Sequence, residues 1–244
     1  MQTTIIIPCY NEAGRLDCPA FLDFATQNPD IHFLFVNDGS KDDTLTILQN
    51  FVKQSSNLSC LDLKTNGGKA EAVRKGMLYA SKNGKSDFIG FWDADLATPL
   101  YEIPNFINLI STRDFDMVTG LRLARLGSHI KRKKFRHYLG RCFATTASLV
   151  LHIPVYDTQC GAKLYKADIV PALFEQAFLT KWLFDVELLA RYIKEFGISC
   201  AEERVYEYPL WFWEDVGGSQ LKAKDFIKGP YELWKIKRRY KLTK

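Results

Sequence analysis

Phe88-Ile89-Gly90-Phe91-Trp92-Asp93-Ala94-Asp95 is an apolar run that stops on two carboxylates one residue apart. The run reads as a buried strand. Asp93 and Asp95 then stand at its carboxyl end, where open α/β sheets present their ligands. An Asp-x-Asp can be a turn or a helix cap. It can also face one divalent cation. Hard oxygen donors suit Mg²⁺ or Mn²⁺, ions that bind through one or two carboxylates plus substrate phosphates.

The chain around this stretch decides what kind of sheet holds it. Thr4–Pro8, Ile31–Val36 and Leu58–Leu63 read as three earlier strands, and Pro19–Thr26, Thr44–Gln54 and Lys69–Lys82 as the helices between them. Regular alternation predicts βαβ units, hence an α/β fold with a mostly parallel sheet flanked by helices. The polar clusters Pro8-Cys9-Tyr10-Asn11-Glu12, Asn37-Asp38-Gly39-Ser40 and Asp93-Ala94-Asp95 all follow strands, so they converge on one edge. Asp42 or Asp43 can cap the helix from Thr44, and Gly39 permits a positive φ. Asp38, at a strand end, can accept hydrogen bonds from a nucleoside. In Asn66-Gly67-Gly68-Lys69 the glycines admit a close ligand, and the helix start and Lys69 offer N–H groups and charge to a phosphate. The Gly-Lys-Ser/Thr pattern of a Walker A loop is absent.

Asp116–Gly120 is expected as a fifth strand. Phe135–Ile153 carries Phe135, Tyr138, Leu139, Cys142, Phe143, Leu149, Val150 and Ile153 at helical spacing, which fits a core helix or an interfacial one. Trp182–Phe196 reads as a helix ended by Gly197, Ile198–Tyr208 as extended, and Phe226–Tyr240 as helical, interrupted or started at Gly229-Pro230. Without repeats or linkers, one domain over residues 1–220 with a basic helical extension over 221–244 is expected.

The 244 residues suffice for one sizeable core, and 47% hydrophobic with 25% charged residues is ordinary for a globular protein. No run reaches the ~20 apolar residues of a membrane span. The start lacks the regions of a signal peptide, and six scattered cysteines show no Cys-x-x-Cys pair, so a cytoplasmic protein with reduced thiols is expected. The net charge of +5 is modest but clustered. No acidic residue falls between Leu121 and Tyr156, a stretch holding Arg122, Arg125, Lys131, Arg132, Lys133, Lys134, Arg136 and Arg141. A second cluster runs from Lys235 to Lys244. These are solvated faces, or they attract phosphate in a ligand or an anionic membrane. No nucleic-acid partner is expected.

Taken together, Ile5-Ile6-Ile7-Pro8-Cys9-Tyr10-Asn11-Glu12, Val36-Asn37-Asp38-Gly39-Ser40, Asn66-Gly67-Gly68-Lys69 and Asp93-Ala94-Asp95 resemble the family 2 inverting glycosyltransferases. Asp157-Thr158-Gln159-Cys160-Gly161-Ala162-Lys163, Phe184-Asp185-Val186-Glu187 and Trp213-Glu214-Asp215-Val216-Gly217-Gly218-Ser219 resemble the dolichyl- or polyprenyl-phosphate glucosyltransferase branch. Leu96-Ala97 stands where mannose synthases carry Leu-Gln, which leans toward glucose. The resemblance implies a GT-A fold with a Rossmann-like sheet. It also implies a nucleotide-sugar site made of Pro8, Tyr10, Asn11, Glu12, Asp38, Gly39, Gly68, Lys69, Asp93 and Ala94, and Mg²⁺ or Mn²⁺ on Asp93 and Asp95. Arg122 and Arg136 match positions that hold the acceptor phosphate.

The expected reaction moves a hexose from a UDP-sugar to a polyprenyl phosphate, on the inner face of a membrane that the protein binds peripherally. A phosphate monoester has a second pKa near ~6 and is already a nucleophile at neutral pH. A sugar or protein hydroxyl would instead need a base, for which Asp157 and Asp185 are the candidates; Asp185 can equally cap its helix. A catalytically silent sugar-nucleotide-binding or membrane-docking protein is a further alternative, disfavoured by the intact acid pair. A nucleotidyltransferase would want a Gly-rich loop where Pro8–Glu12 stands.

Overall fold

A computed structural model describes residues 1–131, 134–214 and 223–242, with side chains for all of these except 134–139 and 223–227. The first half follows the expected alternation: β1 (Thr3–Cys9), α1 (Cys18–Gln27), β2 (Ile31–Asp38), α2 (Thr44–Phe51), β3 (Leu58–Leu63), α3 (Lys69–Asn83) and β4 (Phe88–Trp92). Then come α4 (Ile103–Thr112), β5 (Met117–Leu121), β6 (His129–Lys131), α5 (Lys134–Leu151), β7 (Ala162–Lys166) and α6 (Val170–Phe174). The chain continues through α7 (Phe184–Phe196), α8 (Ile198–Arg204), β8 (Val205–Pro209), β9 (Phe212–Glu214) and α9 (Ala223–Tyr240).

Seven strands form one sheet in the order β3-β2-β1-β4-β7-β5-β8, and β6 pairs with β9 in a small second sheet. Every pairing in the large sheet is parallel except those of β7, which runs antiparallel between β4 and β5. The strand order reverses on either side of β1. In doubly wound sheets the crevice at such a reversal takes the ligand.

Successive side chains leave a strand on opposite faces. Ile6, Leu34, Val36, Ile89 and Phe91 pack with α3, α6 and α7 on one face. Ile5, Ile7, Phe33, Phe35, Phe88 and Trp92 pack with α1, α2 and α4 on the other. Both faces of the central strands are therefore covered, which is why they read as unbroken apolar runs.

Several expectations need correction. Ile198–Tyr208 is not extended throughout. Gly197, at φ 92°, ends α7, and a second helix over Ile198–Arg204 precedes the strand. The residues Ala201-Glu202-Glu203-Arg204 are good helix formers, and that local preference prevails. Gly229 and Pro230 do not break the last helix, which runs through both from Ala223 to Tyr240. Leu233 and Ile236 of α9 join the core beside α7. Among the described side chains of α5 the buried positions are Ala144, Ala147 and Leu151, whereas Cys142 and Leu149 of the expected stripe are exposed; Phe135, Tyr138 and Leu139 lie outside the described side chains. Small residues let α5 sit close to its neighbours, and a search for large apolar side chains misses such a face.

Candidate active site

The loops after β1 and β2 are tied to each other. Asn11, at φ 54°, donates its backbone N–H to Ser40 Oγ, and its Oδ1 accepts from the Lys41 amide. The Glu12 amide donates to Thr44 Oγ1 at 2.8 Å, and the Ala13 amide to Asp42 Oδ2 at 3.2 Å. At the head of α2, Asp42 accepts from Thr44, while Asp43 makes no side-chain cap. Glu12 is buried, and its carboxylate is gripped through two nitrogens by Arg15.

Asp38 ends β2 and is buried. Its two oxygens accept from the amides of Gly67 and Gly68, each at 2.8 Å. The carboxylate thus shapes the turn that opens α3. Gly39 lies under the same loop at φ 61°, and a Cβ there would stand 2.7 Å from the Asn66 nitrogen. That approach demands glycine twice over, by backbone conformation and by space.

Lys69, the first residue of α3, reaches across to Asp93 and forms an ion pair with it. Asp95 accepts from the Ala97 amide at 3.1 Å, in a turn that carries Leu96 at φ 54°. Burial, and then the negative Asp93 beside it, push the Asp95 carboxyl above its ordinary value. Among the described residues no three His, Cys, Asp or Glu side chains cluster as a metal cage. Two hard carboxylates fit an ion that takes the rest of its shell from a diphosphate and water.

Gly161 seats the other side of Asp93. Trp92 pairs with Ala162 across the antiparallel β4–β7 ladder, so the residue before β7 abuts the residue after β4. A Cβ on Gly161 would fall 1.8 Å from Asp93 Oδ2 and 2.2 Å from its carboxyl carbon. Gly161→Ala is therefore expected to displace Asp93. A misplacement near 1 Å costs about a hundredfold in rate, and overpacking costs about 1–3 kcal/mol. A transfer assay beside a thermal melt checks both; undiminished transfer would show that Asp93 is not held by this contact.

The segment that begins at Asp157 carries two more ion pairs. Arg122, just past β5, donates Nε and Nη2 to Asp157 Oδ2 and Oδ1 at 2.6 and 2.7 Å, and its backbone amide adds a third bond. Asp157 strengthens the guanidinium's hold on its proton, and burial opposes it. The Arg122 guanidinium also lies 5.1 Å from the centre of the Trp213 ring. Lys163 is 1% exposed and donates to Asp185 Oδ1 at 2.7 Å and to the Cys160 carbonyl at 2.5 Å. Burial raises the Asp185 carboxyl, with Lys163 and Lys69 pulling the other way. Asp185 sits inside the first turn of α7 and does not cap it, since Leu183 holds the cap position. A cleft of about 460 Å³, open to solvent, lies between the end of β5, α5 and Tyr156–Gln159; Arg122, Arg141, Phe143 and Thr158 are among its lining.

The predicted residues of the first half thus meet at one sheet edge. Pro8 lies near the end of β1 and Tyr10 just follows it, and Ala94 is buried between the two acids in sequence. Asp157 and Arg122 lie together at the neighbouring cleft. The Arg136 side chain, the residues Asp215–Ser219 and the start of the 221–244 extension fall outside the described residues. Arg15, Gly161 and Lys163 had no role assigned from sequence. Arg15 stands three residues after Glu12, a spacing that could have flagged the pair.

The family model described as Glycosyl transferase family 2 matches residues 4–174. A dolichyl-phosphate beta-glucosyltransferase of Trichomonas vaginalis is 30% identical over 97% of this chain and 71% of its own. One of Drosophila melanogaster is 32% identical over 91% and 69%. Among solved structures, glucosyl-3-phosphoglycerate synthase of Mycobacterium tuberculosis, with Mn²⁺, UDP and phosphoglyceric acid, superposes with a TM-score of 0.70 at 14% identity, covering 100% of this chain and 80% of that one. Mannosyl-3-phosphoglycerate synthase of Rubrobacter xylanophilus gives 0.69 at 12%, over 98% and 73%. These likenesses establish the GT-A fold. With its motifs assembled at one sheet edge and the family model running from the first strand into α6, the chain belongs to glycosyl transferase family 2.

Proposed function

We propose that the chain transfers glucose from UDP-glucose to a polyprenyl phosphate, with inversion at the anomeric carbon. The observation that carries the choice of acceptor is the state of the two candidate bases. Asp157 is engaged by Arg122 and Asp185 by Lys163. A hydroxyl acceptor needs a carboxylate to take its proton. A phosphate monoester brings its own charged oxygen. The curated relatives are named for dolichyl phosphate and glucose, which agrees with that reading.

In this mechanism Tyr10, Glu12 and Asp38 hold the uridine, with the Gly67-Gly68 turn braced by Asp38. Asp93 and Asp95 would hold Mg²⁺ or Mn²⁺, which when bound supplies positive charge beside the departing diphosphate. Lys69 turns from Asp93 to the donor phosphates. Arg122 receives the acceptor phosphate; its guanidinium has five N–H donors, and Asp157 takes two through the side chain. Arg136 would add a second guanidinium. The acceptor oxygen then attacks in line with the leaving diphosphate.

The deciding experiment offers purified protein a panel of UDP- and GDP-sugars with polyprenyl phosphate and looks for labelled lipid. Label from UDP-glucose is expected. Label on a water-soluble sugar or peptide hydroxyl instead would replace this acceptor with the other. By calorimetric titration UDP should bind more tightly than GDP, because Ala97 departs from the mannose-branch pattern; the reverse order would overturn the donor. Peripheral membrane association belongs to the same reading: among the described residues no helix is long and apolar enough to cross a membrane.

A further inference from the structure

The loop between β5 and β6 ends in a stiff turn. The Ser128 amide donates to the Arg125 carbonyl at 3.0 Å, and the Arg125 amide to Ser128 Oγ at 3.0 Å. Gly127, at φ 84°, sits over the Trp211 ring. The His129 amide donates to the Trp211 carbonyl at 2.7 Å, and β6 then pairs with β9, so backbone hydrogen bonds join the two segments. At the tip stands Leu126, fully exposed, next in sequence to Gly127; Trp211 is itself 54% exposed, with the Arg125 guanidinium 5.2 Å from its ring's centre. An apolar side chain held into water by an ordered turn gains nothing for the fold.

We propose that this prong, Leu126 with Trp211 and Arg125, is the element that inserts into an anionic bilayer and sets the cleft against the lipid headgroups. The proposal deepens the lipid-acceptor reading and rests on it only for the identity of the lipid that enters the cleft. Charge argues for the occupant. The run from Leu121 to Tyr156 carries basic residues and no acidic one, and apolar tips ringed by Arg and Lys bind at the headgroup boundary of anionic membranes. Distance argues for it too. Arg122 lies four residues before Leu126, no more than about 14 Å of chain. A tip seated among the headgroups therefore keeps the Arg122 backbone within that distance of them. Arg141, stacked 4.6 Å from the centre of the half-exposed Tyr156 ring, places a second cation–aromatic pair on the same cleft.

A rival patch lies on α9, where Tyr231 and Trp234 stack and Lys235 and Arg238 cover them. The test compares the full chain, Leu126→Asp, Trp211→Ser and Trp234→Glu by co-sedimentation with vesicles of phosphatidylcholine and phosphatidylglycerol. Leu126→Asp should weaken binding about tenfold to a hundredfold, the equivalent of losing one buried apolar side chain, and Trp211→Ser should weaken it similarly. Trp234→Glu should change it little. UDP titration of each variant, expected unchanged, shows that the fold is intact. Wild-type binding by Leu126→Asp, or loss only in Trp234→Glu, overturns the prong. So does a concentration-dependent dimer that Leu126→Asp dissolves, which would make a second copy the occupant. If vesicle binding depends on Leu126 but no polyprenyl phosphate is glucosylated, the prong stands and the proposed reaction falls.

Discussion

Asp95→Ala is expected to lower transfer by about a thousandfold, the scale on which one preorganised electrostatic contact to developing charge is lost. The same substitution should leave the melting temperature unchanged or slightly raised. Asp95 and Asp93 are like charges held close, with burial raising the Asp95 carboxyl first and Asp93 adding to it. The fold supplies one ammonium, that of Lys69, to Asp93. Removing a carboxylate relieves that repulsion at the cost of one hydrogen bond from the Ala97 amide. Activity and stability should therefore move apart, as they do where a site holds destabilised groups for function. EDTA should abolish transfer by the wild type, and Mn²⁺ should restore it. Full activity in Asp95→Ala, or transfer that survives EDTA, would remove the acid pair from the mechanism.

The sequence announces this site unevenly. The placement of the first-half residues was legible because the clusters at Pro8–Glu12, Asn37–Ser40 and Asp93–Asp95 each follow a strand that declares itself by apolar content. Once β1, β2 and β4 are recognised as parallel, the edge at which Asp38 and Asp93 meet follows from topology alone. The second half obeys no such local rule. Ala162-Lys163-Leu164-Tyr165-Lys166 carries two lysines and was not read as a strand, yet it is buried between β4 and β5. Lys163 can be buried there because Asp185, from a helix 22 residues on in sequence, meets its ammonium. That partnership is non-local and has no period to detect. The contact of Gly161 with Asp93 is equally hidden, since it depends on the antiparallel register of β7. The pairing of Arg122 with Asp157 joins residues 35 apart. The motif carrying Asp157 could be recognised, but its geometric office could not: one segment, residues 157–163, touches Arg122, Asp93 and Asp185 in turn.

Lys163→Met should produce the largest loss of stability of any substitution considered. Lys163 and Asp185 are 1% and 5% exposed. Neutralising the ammonium leaves a carboxylate in the interior without its partner, and breaking one side of such a buried pair costs about 3–5 kcal/mol. The double substitution Lys163→Met with Asp185→Asn removes both charges and should recover much of that loss, so a double-mutant cycle ought to report a large coupling. The pH dependence gives an independent reading. Burial already raises the Asp185 carboxyl above its ordinary value of 3.8, and loss of Lys163 removes the leading influence that lowers it. A carboxyl raised in the folded state is penalised when ionised. The penalty is absent below the unfolded value and grows as pH climbs from there toward the folded value. Denaturant titrations of Lys163→Met should thus approach wild-type stability near that lower limit and diverge from it toward neutral pH, while the double variant, with no carboxyl at position 185 to titrate, should lack that divergence. A single variant whose deficit is the same at every pH would mean that the cost is lost packing against Phe91, whose ring centre lies 5.4 Å from Nζ, and not an orphaned charge.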